Sequence, residues 1–112
     1  MTECLFCKIA NKEIPSSAVY EDDEVFAFND ITPQAPVHIL IIPKNHIKST
    51  EEINDSNSVI AGKIISVAAG IARGMNLDGY RLVFNCNEIA GQTVPHLHCH
   101  LLSGRAMHWP PG

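Results

Sequence analysis

Apolar residues change their spacing several times along this chain, and each spacing predicts an element. Residues 4–11 fit a short helix that ends before Pro15. Ala18–Glu21 and Val25–Asn29 read as two short strands around the acidic turn Glu21-Asp22-Asp23, a hairpin-like pattern. Val25-Phe26-Ala27-Phe28 is continuously apolar, which predicts that both faces of that strand are covered. The two prolines in Asp30–Pro36 mark a loop. Val37–Pro43, rich in branched residues and bounded by prolines, predicts the clearest strand. From Ser58 to Gly74 the period becomes helical: Ile60, Ile64, Val67 and Ile71 form a stripe that Ile65, Ala68 and Ala72 widen. Asp55 or Ser56 offers an N-cap, and Gly74 with Asn76-Leu-Asp-Gly79 ends the helix. Tyr80–Asn85 reads as a strand, Cys86–Gln92 as a loop turning at Gly91, and Pro95–Leu102 as the last strand. With few βαβ spacings, this order predicts an α+β fold with an antiparallel sheet.

Length and charge narrow the function classes. The 112 residues suit one domain over 1–112, able to bury roughly 65% of its unfolded surface. Hydrophobic residues at 46% exclude a disordered chain. A net charge of -4 argues against a nucleic-acid polymer as partner, because phosphate contacts need clustered Lys and Arg. The longest apolar run is strand-sized, so no membrane span is expected, and the first residues lack the features of a signal peptide. The reading is therefore cytoplasmic, with Cys4, Cys7, Cys86 and Cys99 as thiols. Cys4 and Cys7 form a Cys-x-x-Cys, which suggests metal or redox chemistry.

The chemistry concentrates near the end of the chain. Four of six histidines, His96, His98, His100 and His108, fall in the last 17 residues. In His96-Leu-His-Cys-His-Leu-Leu102 imidazoles alternate with apolar residues, so a strand would set His96, His98 and His100 on one face. Three imidazoles in register are hard to explain as packing, because each buried ring nitrogen needs a partner. The face suits metal binding or covalent catalysis at phosphorus. No Asp or Glu lies between Glu88 and the C-terminus, which disfavours a metallo-hydrolase. Gly91-Gln-Thr-Val94 supplies backbone N–H groups and the Thr93 hydroxyl, natural anion donors beside the run.

This run resembles the signature of the histidine-triad (HIT) superfamily. Glu21-Asp-Asp, Phe28–Pro36, Ile42–His46, Gly79-Tyr-Arg, Gly91–Val94 and Gly104–Gly112 resemble its Hint branch in order and spacing, the closing Trp-Pro-Pro-Gly above all. The resemblance implies a five-stranded antiparallel sheet with one long and one short helix, ten-stranded across a homodimer. It implies hydrolysis of purine nucleoside phosphoramidates to AMP and an amine, with no cofactor needed for the chemistry. A dinucleoside polyphosphate hydrolase and a nucleotide-binding regulatory protein are the alternatives, and a metal-dependent protein centred on the histidines is another.

By the same resemblance His98 is the nucleophile and His100 the phosphate-side histidine. Asn85, Gly91, Thr93 and Val94 match positions that hold phosphate oxygens, Thr93 where the branch commonly has serine. Asp30 matches the carboxylate that accepts from the ribose hydroxyls, and Ile31 lies against the base, with Phe6 and Phe28 as neighbours. Asn29 stands where the branch often has histidine. His38 is implied to be a supporting histidine near the nucleophile, which orients His98 or is simply a satisfied core residue. Cys4-x-x-Cys7 departs from many Hint proteins and resembles other histidine-triad proteins, where such a pair joins a histidine after Pro-Lys and the first of the triad. Here those are His46 and His96, and the four make a closed structural zinc site. Trp109 is implied to cross toward the partner subunit and border the leaving-group pocket.

Overall fold

The computed structural model describes residues 4–112. Helix α1, Leu5–Ala10, starts at Cys4, whose sulfur accepts from the Cys7 amide, and it buries Phe6, Ile9 and Ala10. Strand β1, Ala18–Glu21, pairs with β2, Val25–Asn29, and the turn between them is held by Asp22, which accepts from the amides of Glu24 and Val25. β3 is Val37–Pro43, α2 is Ser58–Gly74, β4 is Arg81–Val83 and β5 is Cys99–Ser103. All pairings are antiparallel, in the order β1-β2-β3-β5-β4. No helix of the described residues is long and apolar enough to cross a membrane.

The two helices cover opposite faces of the sheet, which is why β2 and β3 are apolar at successive positions. On one face Val25, Ala27, Ile39, Ile41, Cys99 and Leu101 pack against Ile64, Val67 and Ala68 of α2. On the other, Phe26, Phe28, Leu40 and Ile42 pack against Phe6, Ile9 and Ala10 of α1. Complete burial of a side chain such as Ile41 or Leu101 contributes about 2–3 kcal/mol.

Three details differ from the sequence reading. The residue before α2 is Asn57, not Asp55 or Ser56, and it makes no side-chain capping bond. Its Oδ1 accepts from the Asn54 amide and the Ser56 hydroxyl donates to Asn54, so these polar groups close the preceding turn instead. Ile65 is 46% exposed and falls outside the buried stripe. The last two strands are also shorter than predicted: β4 spans three residues and β5 begins at Cys99. His96 and His98 therefore precede the strand. Alternation of faces still holds through them, since Leu97, Cys99 and Leu101 all face the α2 side.

Candidate functional site

β3 and β5 bring the first pair of imidazoles together. In their register His38 lies opposite Leu102 and Leu40 opposite His100, so His38 and His100 are diagonal neighbours on one face. His38 Nε2 and His100 Nδ1 are 2.9 Å apart. The Gln34 amide donates to His38 Nδ1 at 3.0 Å, which places the His38 proton on Nε2. That proton is donated to His100 Nδ1, so His100 carries its own proton on Nε2. The His100 Nε2 is a buried polar atom without a protein partner. His38 thus donates to His100, whereas the resemblance implied that it orients His98 or is simply a satisfied core residue.

His98 is set by a backbone group. Its Nδ1 donates to the His96 carbonyl at 2.7 Å, leaving a lone pair on Nε2. Its ring centroid lies 4.9 Å from that of His100 and 5.0 Å from that of Phe6, to which it is nearly perpendicular. Burial is the main reason that His38, His98 and His100 all hold protons less readily than a free imidazole. For His100 burial, and after it the neighbouring His98 and His38, bring the pKa down to about 4. For His38 the Asp30 carboxylate opposes this effect. These rings are neutral at pH 7, the form in which imidazole is a nucleophile or a one-proton donor.

A cleft of about 270 Å³ opens over these two rings. Asp30, Ile31, Thr93 and Val94 line it with His98 and His100, and Phe6, Ile9, Phe28 and Leu40 give it an apolar wall. Asp30 Oδ1 accepts from the Thr32 amide at 2.8 Å, and its Oδ2 lies 3.5 Å from His38 Nε2. Asn85 and Gly91 are not among the residues lining the cleft; they neighbour each other, with Asn85 Nδ2 3.6 Å from where a Gly91 Cβ would be, and Gly91 has a φ of 99°. The loop is tied down by Gln92, a residue the sequence reading passed over: it accepts from the Asn87 amide and donates to the Lys48 and Val94 carbonyls. Its place in Gly91-Gln-Thr was the available signal. Gln34 gave no such signal, because it acts through its backbone. Trp109 is 83% exposed and does not line the cleft of its own chain.

His96 belongs to a second cluster. Its Nε2 donates to the Pro43 carbonyl at 2.9 Å, so its Nδ1 carries a lone pair. That nitrogen lies 3.3 Å from Cys4 Sγ, 3.5 Å from Cys7 Sγ and 3.2 Å from His46 Nδ1, while Cys7 Sγ and His46 Nδ1 are 3.4 Å apart. Ligands at tetrahedral corners around zinc, about 2.0 Å to nitrogen and 2.3 Å to sulfur, stand about 3.3–3.8 Å from one another. The four atoms fit such a site and could hold a metal ion. Burial, followed by the neighbouring Cys4, pushes the Cys7 thiol up to about 11. A divalent cation would reverse that preference by stabilising the thiolate. Asp30, His38 and His100 also offer three ligand atoms, but the 2.9 Å hydrogen bond between the two imidazoles accounts for their closeness.

The HIT domain family model matches residues 11–107. A purine nucleoside phosphoramidase of Escherichia coli strain K12 is 50% identical over 107 residues, covering 94% of this chain and 90% of that protein. An uncharacterized HIT-like protein of Synechococcus elongatus is 47% identical over 98% of this chain and 97% of its own length. Among solved structures, a HIT family hydrolase from Legionella pneumophila Philadelphia 1 superposes with a TM-score of 0.95 at 53% identity, covering 98% of this chain and 100% of that one.

Proposed function

The chain belongs to the HIT domain family, and on that premise we propose that it hydrolyses purine nucleoside 5′-phosphoramidates to AMP and an amine through a covalent intermediate on His98. The observation that carries this reading is the pair of opposite tautomers at the cleft floor. His98 offers a lone pair at Nε2, and His100 offers an unpartnered N–H beside it. A nucleophile and a donor for the phosphoryl oxygens or the leaving nitrogen are thus side by side. The 50% identity to a phosphoramidase supports the substrate class.

In the first step the P–Nε2 bond to His98 forms and the bond from phosphorus to the amine breaks. The His96 carbonyl stabilises the positive charge that develops on the His98 ring, and the departing amine takes up a proton from solvent water at the open cleft. Water then attacks phosphorus, the P–Nε2 bond breaks, and the proton that water loses replaces the one the amine took. Thr93, Val94, Gly91 and Asn85 supply hydroxyl, amide and side-chain donors for the phosphoryl oxygens, Asp30 accepts from the ribose hydroxyls, and Ile31 covers the base. The cleft's apolar wall favours the flat face of a purine over a charged group.

Zinc is the metal that best suits the Cys4, Cys7, His46 and His96 donors, and its role in this reading is to anchor α1 to the sheet. The chain's own residues do the chemistry. β4 lies at the sheet edge and Trp109 is exposed, which supports a homodimer whose sheet continues through both chains. The test is to mix the protein with an adenosine phosphoramidate, quench early, and locate the modified residue by mass spectrometry. An adenylyl group on His98, with turnover lost in His98→Ala while AMP still binds, is the expected result. Near-normal turnover by His98→Ala would sink the covalent mechanism.

A further inference from the structure

His38 gives its Nε2 proton to His100, and a second, anionic acceptor stands just beyond hydrogen-bond contact. His100 Nδ1 is 2.9 Å from His38 Nε2, and Asp30 Oδ2 is 3.5 Å from the same atom. Because His38 Nδ1 is occupied by the Gln34 amide, His38 has only this one proton to give. Imidazole nitrogen is the nearer acceptor and the anionic carboxylate the stronger one. Asp30 is itself pinned, since its Oδ1 accepts from the Thr32 amide at 2.8 Å, and Oδ2 is the oxygen left to compete. When the His38 proton turns to Asp30, nothing donates to His100 Nδ1, and His100 is then free to adopt the wrong tautomer or rotate.

We propose that Asp30 is a positioning residue as well as a sugar ligand: ribose hydroxyls on its Oδ2 direct the His38 N–H to His100, so that the sugar sets the imidazole facing the phosphorus. The inference rests on the nucleoside phosphoramidate reading of the cleft. Its physical basis is acceptor capacity, because two hydroxyls donating to one carboxylate oxygen use both of its lone pairs. His38 is then left with a single acceptor. His100 keeps its proton on Nε2, the buried atom that has no partner within the protein. A nucleotide without the hydroxyls fills the same cleft but leaves Oδ2 competing. The sugar is thereby read in the rate and not only in the affinity.

The experiment compares adenosine and 2′,3′-dideoxyadenosine 5′-phosphoramidates of the same amine, measuring the saturating rate of the first turnover alongside KM. Removing the hydroxyls should raise KM and also slow the saturating rate about tenfold, the effect of one well-placed hydrogen bond. In His38→Leu both substrates should react at the same reduced saturating rate. His38→Gln has two amide protons, one for each acceptor, so it should recover much of the rate while staying insensitive to the sugar. A second readout needs no variant: nitrogen-15 NMR of His100 should report a single Nε2–H tautomer with AMP bound and a mixture with dideoxy-AMP. A hydroxyl effect confined to KM, or an unchanged rate ratio in His38→Leu, would overturn the coupling and leave the phosphoramidase reading standing. Failure to turn over the ribose substrate at all would overturn both.

Discussion

Lowering the pH is expected to destabilise this protein well before its carboxylates protonate. One group that contributes strongly is His100, whose pKa falls from 6.5 to about 4 because burial, and then the nearby His98 and His38, penalise its charge; His96 is lowered as far, chiefly by burial. Between those two values the unfolded chain holds a proton on His100 and the folded chain does not. Stability therefore rises with pH through the window and is lost as pH falls below about 6.5. The full interval corresponds to about 3 kcal/mol, at about 1.4 kcal/mol per pH unit. Only part is reached at moderate acidity: going from about pH 7 to about pH 5.5 should cost about 1 kcal/mol at this site after allowance for solvent screening. Asp22 and Glu21, held below their usual range chiefly by hydrogen bonds from Tyr20 and Lys12 respectively, act only at lower pH. The assay is urea unfolding of the wild type and His100→Asn at both pH values. The variant should lose about 1 kcal/mol less than the wild type across the interval. Equal losses in the two proteins would refute the assignment. The same burial acts on His98, so the acid limb of kcat/KM should be centred below 6.5, the ordinary imidazole value. An acid limb centred above 6.5 would contradict the described environment of His98.

Two further outcomes probe the supports of the site. Elemental analysis should find about one zinc per chain, and Cys4→Ser with Cys7→Ser should abolish binding and lower the melting temperature. Turnover that stops on chelation while the fold is retained would favour a metal-dependent reaction instead. Gly104→Ala should destabilise by about 2–4 kcal/mol, because a Cβ there would sit 2.8 Å from Pro36 Cβ at a φ of 97°. Thermal unfolding checks this, and a midpoint within about 2 °C of the parent would show that the Pro36 loop yields more easily than its packing suggests.

Much of the architecture follows from local pattern. β1, β2, β3 and α2 have the predicted bounds: β2, β3 and α2 each bury a face wide enough to leave a clear period, whereas β1 is exposed throughout and is bounded by the Asp22 turn. The two-sided burial of β2 was legible for the same reason, in the unbroken run from Val25 to Phe28. β4 and β5 were overextended because alternation survives in an irregular segment: His96 and His98 keep their facing without the strand's hydrogen bonds. The sequence by itself also determined which residue types are available, namely a histidine run beside a donor-rich loop and a Cys-x-x-Cys far from it in the chain.

What each histidine does was decided only in three dimensions. His96 and His98 are two residues apart, yet one turns its Nδ1 lone pair to two sulfurs and the other gives its Nδ1 proton to a carbonyl. His38 and His100, 62 residues apart, form one hydrogen-bonded unit because β3 and β5 are neighbours. An imidazole's chemistry depends on which nitrogen holds the proton, and that is set by partners that chain spacing does not reveal. The backbone carbonyls of Pro43 and His96 and the backbone amide of Gln34 are those partners here. Every residue carries such groups, so only the tertiary arrangement could select these three.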